Sequence, residues 1–146
     1  MKKFLFIGMA MLMFVLTACN KESEQNIVGS WKLVLQQYTS EDSDGYYETG
    51  NYAVEEDLYF IFQKNGDFAS CDEDGIYHEG KWTYIDGKIV IGEDTYTIEN
   101  FSHKEMDLVF IEYYEDYDYD YGYYWSRSTH RMHFKREKAP KEYLQK

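Results

Sequence analysis

The chain has 146 residues, 27 of them acidic against 15 basic, and a formal net charge of −12. That surplus repels phosphate backbones and anionic lipid headgroups, which excludes nucleic acid and a bare membrane surface as partners and favours cationic ones. Tyrosine, phenylalanine and tryptophan number 16, 9 and 3 beside a single proline, a balance that fits strands far better than helices.

In chain order, Lys2 and Lys3 precede an apolar run from Phe4 to Leu16. A basic start and a short apolar run are the pattern of a secretory signal, and the run falls short of the roughly 20 residues a membrane-spanning helix needs. It closes on Leu16-Thr17-Ala18-Cys19, which resembles the lipobox of bacterial lipoproteins. In that family the cysteine thiol receives a diacylglycerol, the signal is cut before it, and the new N-terminus is acylated. The resemblance implies a signal peptide over 1–18, lipidation of Cys19 with incorporation of palmitate, and a membrane partner reached through the lipid. Asn20, standing where one large bacterial group uses aspartate for inner-membrane retention, implies the outer membrane. Without the signal, 13 basic residues face 27 acidic ones, a net charge of −14. Cys71 is then the remaining cysteine, and an exported domain with one thiol has no internal disulfide.

After Cys19 the chain is polar through Asn26, the composition of a tether over 19–26. Gly29-Ser30-Trp31 opens the first strand, in which Trp31, Leu33 and Leu35 are expected on one face. The next strand is Leu58 to Gln63. Asn65-Gly66 between alternating segments predicts a hairpin into Asp67 to Cys71. Strands follow at Ile76 to Tyr84, Lys88 to Ile91 across the Asp86-Gly87 turn, Thr95 to Phe101, Met106 to Ile111, and within Tyr124 to Arg136. Beyond Lys138-Ala139-Pro140 a tail over 137–146 is expected to fray or form a short helix. About eight strands with short turns predict an all-β domain over 27–136, an antiparallel up-and-down meander closing into a barrel, with a two-sheet sandwich as the alternative.

The Gly29-x-Trp31 opening resembles that of lipocalins and related barrels. Phe60 through Gly66-x-Phe68, Gly80-x-Trp82 and the terminal Phe134-Lys135-Arg136 are similar to small bacterial lipocalin-like lipoproteins. The resemblance implies a lipocalin-like barrel, with Gly29, Trp31 and Arg136 as its structural signature. Arg136, or Arg131 on the same strand, is implied as the cation packed across Trp31. The middle lipocalin motif, a Thr-Asp-Tyr type turn, has no match here. The Arg-x-Tyr clamp of fatty-acid carriers is also missing, because Met132 and His133 follow Arg131.

No catalytic motif emerges. His130 and His133 lie three apart on a strand and so point to opposite faces, which rules out joint chelation of one ion. Cys71 on a strand reads as a small buried apolar residue. The unusual stretch is Tyr113–Tyr124, in which Asp116, Asp118 and Asp120 alternate with Tyr117, Tyr119 and Tyr121. The aspartate spacing echoes the start of a calcium loop, but Tyr121 and Arg127 stand where an EF-hand needs glycine and glutamate. Tyrosine offers large amphipathic contact area at low entropic cost. If the strand count holds, a second tyrosine-bearing segment over 38–52 leaves the same barrel rim.

Two functional readings follow, both of a non-catalytic binding protein. In the first, the barrel mouth holds a small apolar or aromatic ligand. In the second, a rim bearing Tyr46, Tyr47, Tyr52, Tyr117, Tyr119, Tyr121 and Tyr123 takes a glycan, a cationic peptide or a protein. Calcium held by Asp116, Asp118 and Asp120 is a variant of the second.

Overall fold

The computed structural model describes residues 23–52, 54, 56–118 and 122–145. The signal segment, Cys19, Tyr119, Asp120 and Tyr121 lie outside the described residues. One helical turn, α1 (Glu24–Ile27), leads into nine strands. These are β1 (Gly29–Asp42), β2 (Tyr47–Tyr52), β3 (Tyr59–Phe62), β4 (Asp67–Asp72), β5 (Gly75–Ile85), β6 (Lys88–Ile91), β7 (Asp94–Phe101), β8 (Glu105–Asp118) and β9 (Gly122–Arg136). A 3-10 turn, Lys141–Leu144, ends the described chain.

Every pairing between neighbouring strands is antiparallel. β1 and β3 to β9 follow one another in up-and-down order, and β9 pairs back onto β1 to close an eight-stranded barrel. The expected barrel is therefore the fold, and the sandwich is not. Turn chemistry accounts for the tight corners. Asp86 and Gly87 both have positive φ, +49° and +77°, as the two-residue hairpin preferred by Asp-Gly requires. At the β3–β4 corner the loop is one residue longer, and Gly66 takes the left-handed position at φ +84°.

The interior is filled. Trp31, Leu33, Phe62, Phe68, Trp82, Ile89, Ile91, Met106, Leu108, Met132 and Phe134 form one buried cluster, joined from below by Ile27. Burying each large apolar side chain contributes roughly 1.5–3 kcal/mol before conformational entropy is charged against it. Both buried indoles have a partner for their N–H, since Trp31 Nε1 donates to the Ile27 carbonyl at 2.8 Å and Trp82 Nε1 to that of Gln63 at 2.9 Å. A second cluster sits outside the wall, where Tyr59 and Cys71 are covered by Ala139 with Tyr143 packed against them. The tail after Pro140 is thus a strap on the outside of the barrel. At the other terminus, the polar stretch read as tether over 19–26 is already helical from Glu24, and Ile27, the last residue of that turn, is buried at the barrel end.

Two departures from the sequence pattern shape the site. A bulge shifts the β1–β9 register between Leu33 and Leu35. The extra residue reverses the alternation, so Leu35 turns outward, 39% exposed, and Gln36 and Tyr38 turn inward. Further along, β1 continues to Asp42 and folds back as β2, a strand the apolar pattern does not announce. β8 and β9 likewise run past the point where β7 stops pairing, at Tyr96↔Phe110. The result is a four-stranded sheet, β2-β1-β9-β8, that carries one side of the barrel wall beyond its mouth.

Candidate functional site

The two tyrosine-rich insertions meet in that extended sheet. Ser43, in the β1–β2 turn, donates its backbone N–H to the Trp125 carbonyl at 2.9 Å. Strand alternation then deals the tyrosines to two faces. By register, Gln36, Tyr38, Ser40 and Asp42 of β1 share the inner face with Glu48 and Tyr52 of β2. Phe110, Glu112, Tyr114 and Asp116 of β8 and Tyr124, Ser126, Ser128 and His130 of β9 complete it. Tyr47, Tyr113, Tyr117, Tyr123 and Trp125 fall on the outer face. Of the rim residues expected to act together, Tyr52 therefore stands apart from Tyr47, Tyr117 and Tyr123, and Tyr46 lies in the turn before β2.

The inner face carries a row of rings just above the packed core. Tyr38 stacks on Tyr52 at 4.6 Å between centroids. Tyr52 stacks on His130 at 6.3 Å, His130 neighbours Phe110 at 6.3 Å, and Phe110 stacks on Tyr96 at 5.1 Å. Successive ring planes differ by 29°, 12°, 31° and 29°, so the row is close to parallel across strands β1, β2, β9, β8 and β7. Gly50 makes room for one end of it. It pairs with Tyr38, and a Cβ there would meet Tyr38 Cε1 at 2.8 Å.

Hydrogen bonds pin the row from above. Tyr38 and Tyr46 donate their hydroxyls to the two oxygens of Glu48, at 2.8 and 2.7 Å. The bonds from Tyr46 and Tyr38 hold the Glu48 carboxyl below its usual range, and the Glu48 carboxylate in turn raises both phenols. His130 Nε2 lies 3.3 Å from Glu112 Oε2, while its Nδ1 is buried with no hydrogen-bond partner among the described residues. Three members of this row, Tyr96, Phe110 and His130, lie outside the sequence-derived rim, and Tyr38, though inside its 38–52 segment, is not among the tyrosines expected to bind. For Tyr38 the signal that could have found it is the inward parity of β1 after the bulge.

The outer face differs in kind. A depression of about 410 Å³ opens there between β1, β7, β8 and β9. Its two arginines are paired, Arg127 with Glu41 at 3.8 Å and Arg131 with Glu99 at 3.4 Å. Tyr123 donates to Glu115 at 2.7 Å, and that bond raises its phenol. His133 contacts Asp107 on this face, opposite to His130.

The remaining candidates resolve as follows. Asp116 accepts the Tyr114 hydroxyl at 2.9 Å and the Tyr117 N–H at 2.7 Å. Among the described residues no group of three or more metal-ligating side chains converges; Asp120 lies outside them. Cys71 is buried, and desolvation pushes its thiol up, away from the reactive thiolate. At the closed end the Arg136 guanidinium lies 4.1 Å from the Trp31 ring centre, while Arg131 belongs to the outer face. No family model, curated protein or solved structure matches the chain, so the site rests on its own geometry.

Proposed function

We propose that this chain is a lipocalin-like, lipid-anchored protein of the cell envelope, most simply of the outer membrane. In this reading its barrel binds, without catalysis, a small apolar or aromatic ligand at the mouth. The lipobox-like Leu16-Thr17-Ala18-Cys19 supports export and acylation. The observation that carries the binding reading is the near-parallel ring row Tyr38–Tyr52–His130–Phe110–Tyr96. It sets five aromatic rings above the buried cluster of Trp31, Leu33, Met106, Leu108, Met132 and Phe134. Aromatic surface with a few fixed polar groups is what a small-molecule site uses for affinity and orientation. The placement of the N-terminus supports the same reading. Ile27 closes the end of the barrel opposite the extended sheet, so a tether ending there leaves the mouth turned away from its anchor.

Native mass spectrometry of the full chain, released from detergent, tests this. The expected result is a co-purified small molecule that Tyr52→Ala loses and Tyr47→Ala, on the outer face, retains. A wild-type spectrum with no adduct counts against the mouth as a ligand site.

A further inference from the structure

The two faces of the extended sheet carry different charge. On the outer face, Arg127 and Arg131 are matched by Glu41 and Glu99. The inner face is one-sided. Its register places Asp42, Glu48, Glu112 and Asp116 there, and among the described residues no lysine or arginine. Glu48 accepts from two phenol donors, which bring no positive charge, and among the described residues the one titratable base facing the acids is His130 beside Glu112. The turns around the same barrel end add Asp44, Glu73, Asp74 and Glu93.

Strand alternation alone does not sort charge in this way. Of the basic residues of β8 and β9, Arg127, Arg131 and Lys135 occupy outward positions, and Arg136, the one with inward parity, lies across Trp31 at the opposite end of the barrel from these acids. The aromatic row supplies a surface for flat apolar groups, and the acids beside it create a negative potential there. We infer that the mouth is selective for aromatic cations, meaning a flat ring system bearing an ammonium or comparable positive group. The ring lies along the Tyr52–His130–Phe110 surface and the charge faces Glu48 and Glu112. Anionic amphiphiles such as fatty acids are disfavoured by the same field. This inference rests on the mouth being the binding site and adds the charge of what binds there.

Three probes of one ring and three charges separate the two claims: 2-naphthylmethylammonium, 2-naphthylmethanol and 2-naphthoate. Each is titrated calorimetrically into the full chain in non-ionic micelles at low salt. The cation is expected to bind at least tenfold more tightly than the alcohol, and the carboxylate to bind most weakly. Glu48→Gln with Glu112→Gln, isosteric changes at exposed carboxyls, should bring the cation within about threefold of the alcohol, and so should raising salt in the unaltered protein. Equal binding of cation and alcohol overturns the charge selectivity and leaves the mouth site standing. No binding of any probe at millimolar concentration overturns both. The salt series in the unaltered chain keeps the test decisive if the double variant does not fold.

Discussion

Arg136 and Trp31, 105 positions apart in the chain, are opposite partners in the β1–β9 ladder, and the guanidinium lies over the indole at 4.1 Å. The same side chain donates to the carbonyls of Val28 at 2.9 Å, His103 at 2.8 Å and Asn26. It therefore ties α1, the β7–β8 turn and both closing strands together at one end of the barrel. Gly29 is part of this arrangement. Its φ of +138° suits glycine alone, and a Cβ would sit 2.5 Å from Arg136 Nη1.

Removing that tie should loosen the closure. Arg136→Ala forfeits a cation–π contact and three charge-assisted bonds at a solvent-exposed site, and a loss of about 1–2 kcal/mol is expected. Arg136→Lys should recover only part of it, because an ammonium cannot serve three carbonyls in a plane. Gly29→Ala, which adds strain and a clash, should cost a similar amount. Urea midpoints at constant slope measure all three, and an unchanged midpoint for Arg136→Ala would show the contact to be ornamental.

His130 offers a case of the opposite sign. Its Nε2 faces Glu112, which assigns the proton to that nitrogen and leaves Nδ1 as a buried acceptor without a donor. Such an orphan costs roughly 1–3 kcal/mol. His130→Phe keeps a flat ring between Tyr52 and Phe110 and removes the orphan, so it should raise stability by about 1 kcal/mol. If the variant also binds the mouth ligand more weakly, the histidine is retained for binding at a cost in stability. A lowered midpoint would mean that the Glu112 contact outweighs the unpaired nitrogen.

The barrel was legible because its signals are local: alternation in Leu58–Phe62 and Met106–Phe110, and turn pairs such as Asp86-Gly87. β2 was not, because Glu48-Thr49-Gly50-Asn51 has no apolar face and pairs in a sheet solvated on both sides. Leu35 was misplaced since one extra residue near Val34 reverses every later side chain on β1. That reversal also hid the site. Tyr38 reaches the row only through the bulge, and His130, which the sequence shows as an isolated histidine, gains its meaning from rings on four other strands.

Alkaline pH should act on the outer strap. Tyr59, 2% exposed, donates to Glu137 at 3.1 Å and meets the edge of Tyr143 at 6.0 Å. Burial, then the bond to Glu137, pushes its phenol up to about 12 from an ordinary 10. Between those values the folded chain keeps a proton the unfolded chain has lost, so this stabilisation is complete below pH 10 and disappears as pH climbs through 12. Up to about 3 kcal/mol is at stake. Other phenols titrate in the same window, so the informative measurement is the difference from Tyr59→Phe. Unfolding midpoints from pH 8 to 11.5 should fall less steeply for that variant, and parallel curves would remove Tyr59 from the account.

The anchor can be tested apart from the barrel. Cys19 precedes α1 by several polar residues, and Ser23 opens that helical turn, its carbonyl accepting from Asn26 and Ile27 at 3.0 Å. The described core residues run from Ile27 to Phe134, so Cys19→Ala should leave the melting temperature within a degree of the parent. It should nevertheless abolish metabolic palmitate labelling and move the protein from the membrane to the soluble fraction. Labelling that survives the substitution would place the lipid elsewhere, and the lipobox reading of Leu16-Thr17-Ala18-Cys19 would fail with it. Loss of labelling with the protein still in the membrane fraction would instead point to retention of the apolar Phe4–Leu16 segment. An N-terminal sequence of the variant distinguishes that outcome, since an uncut chain begins at Met1.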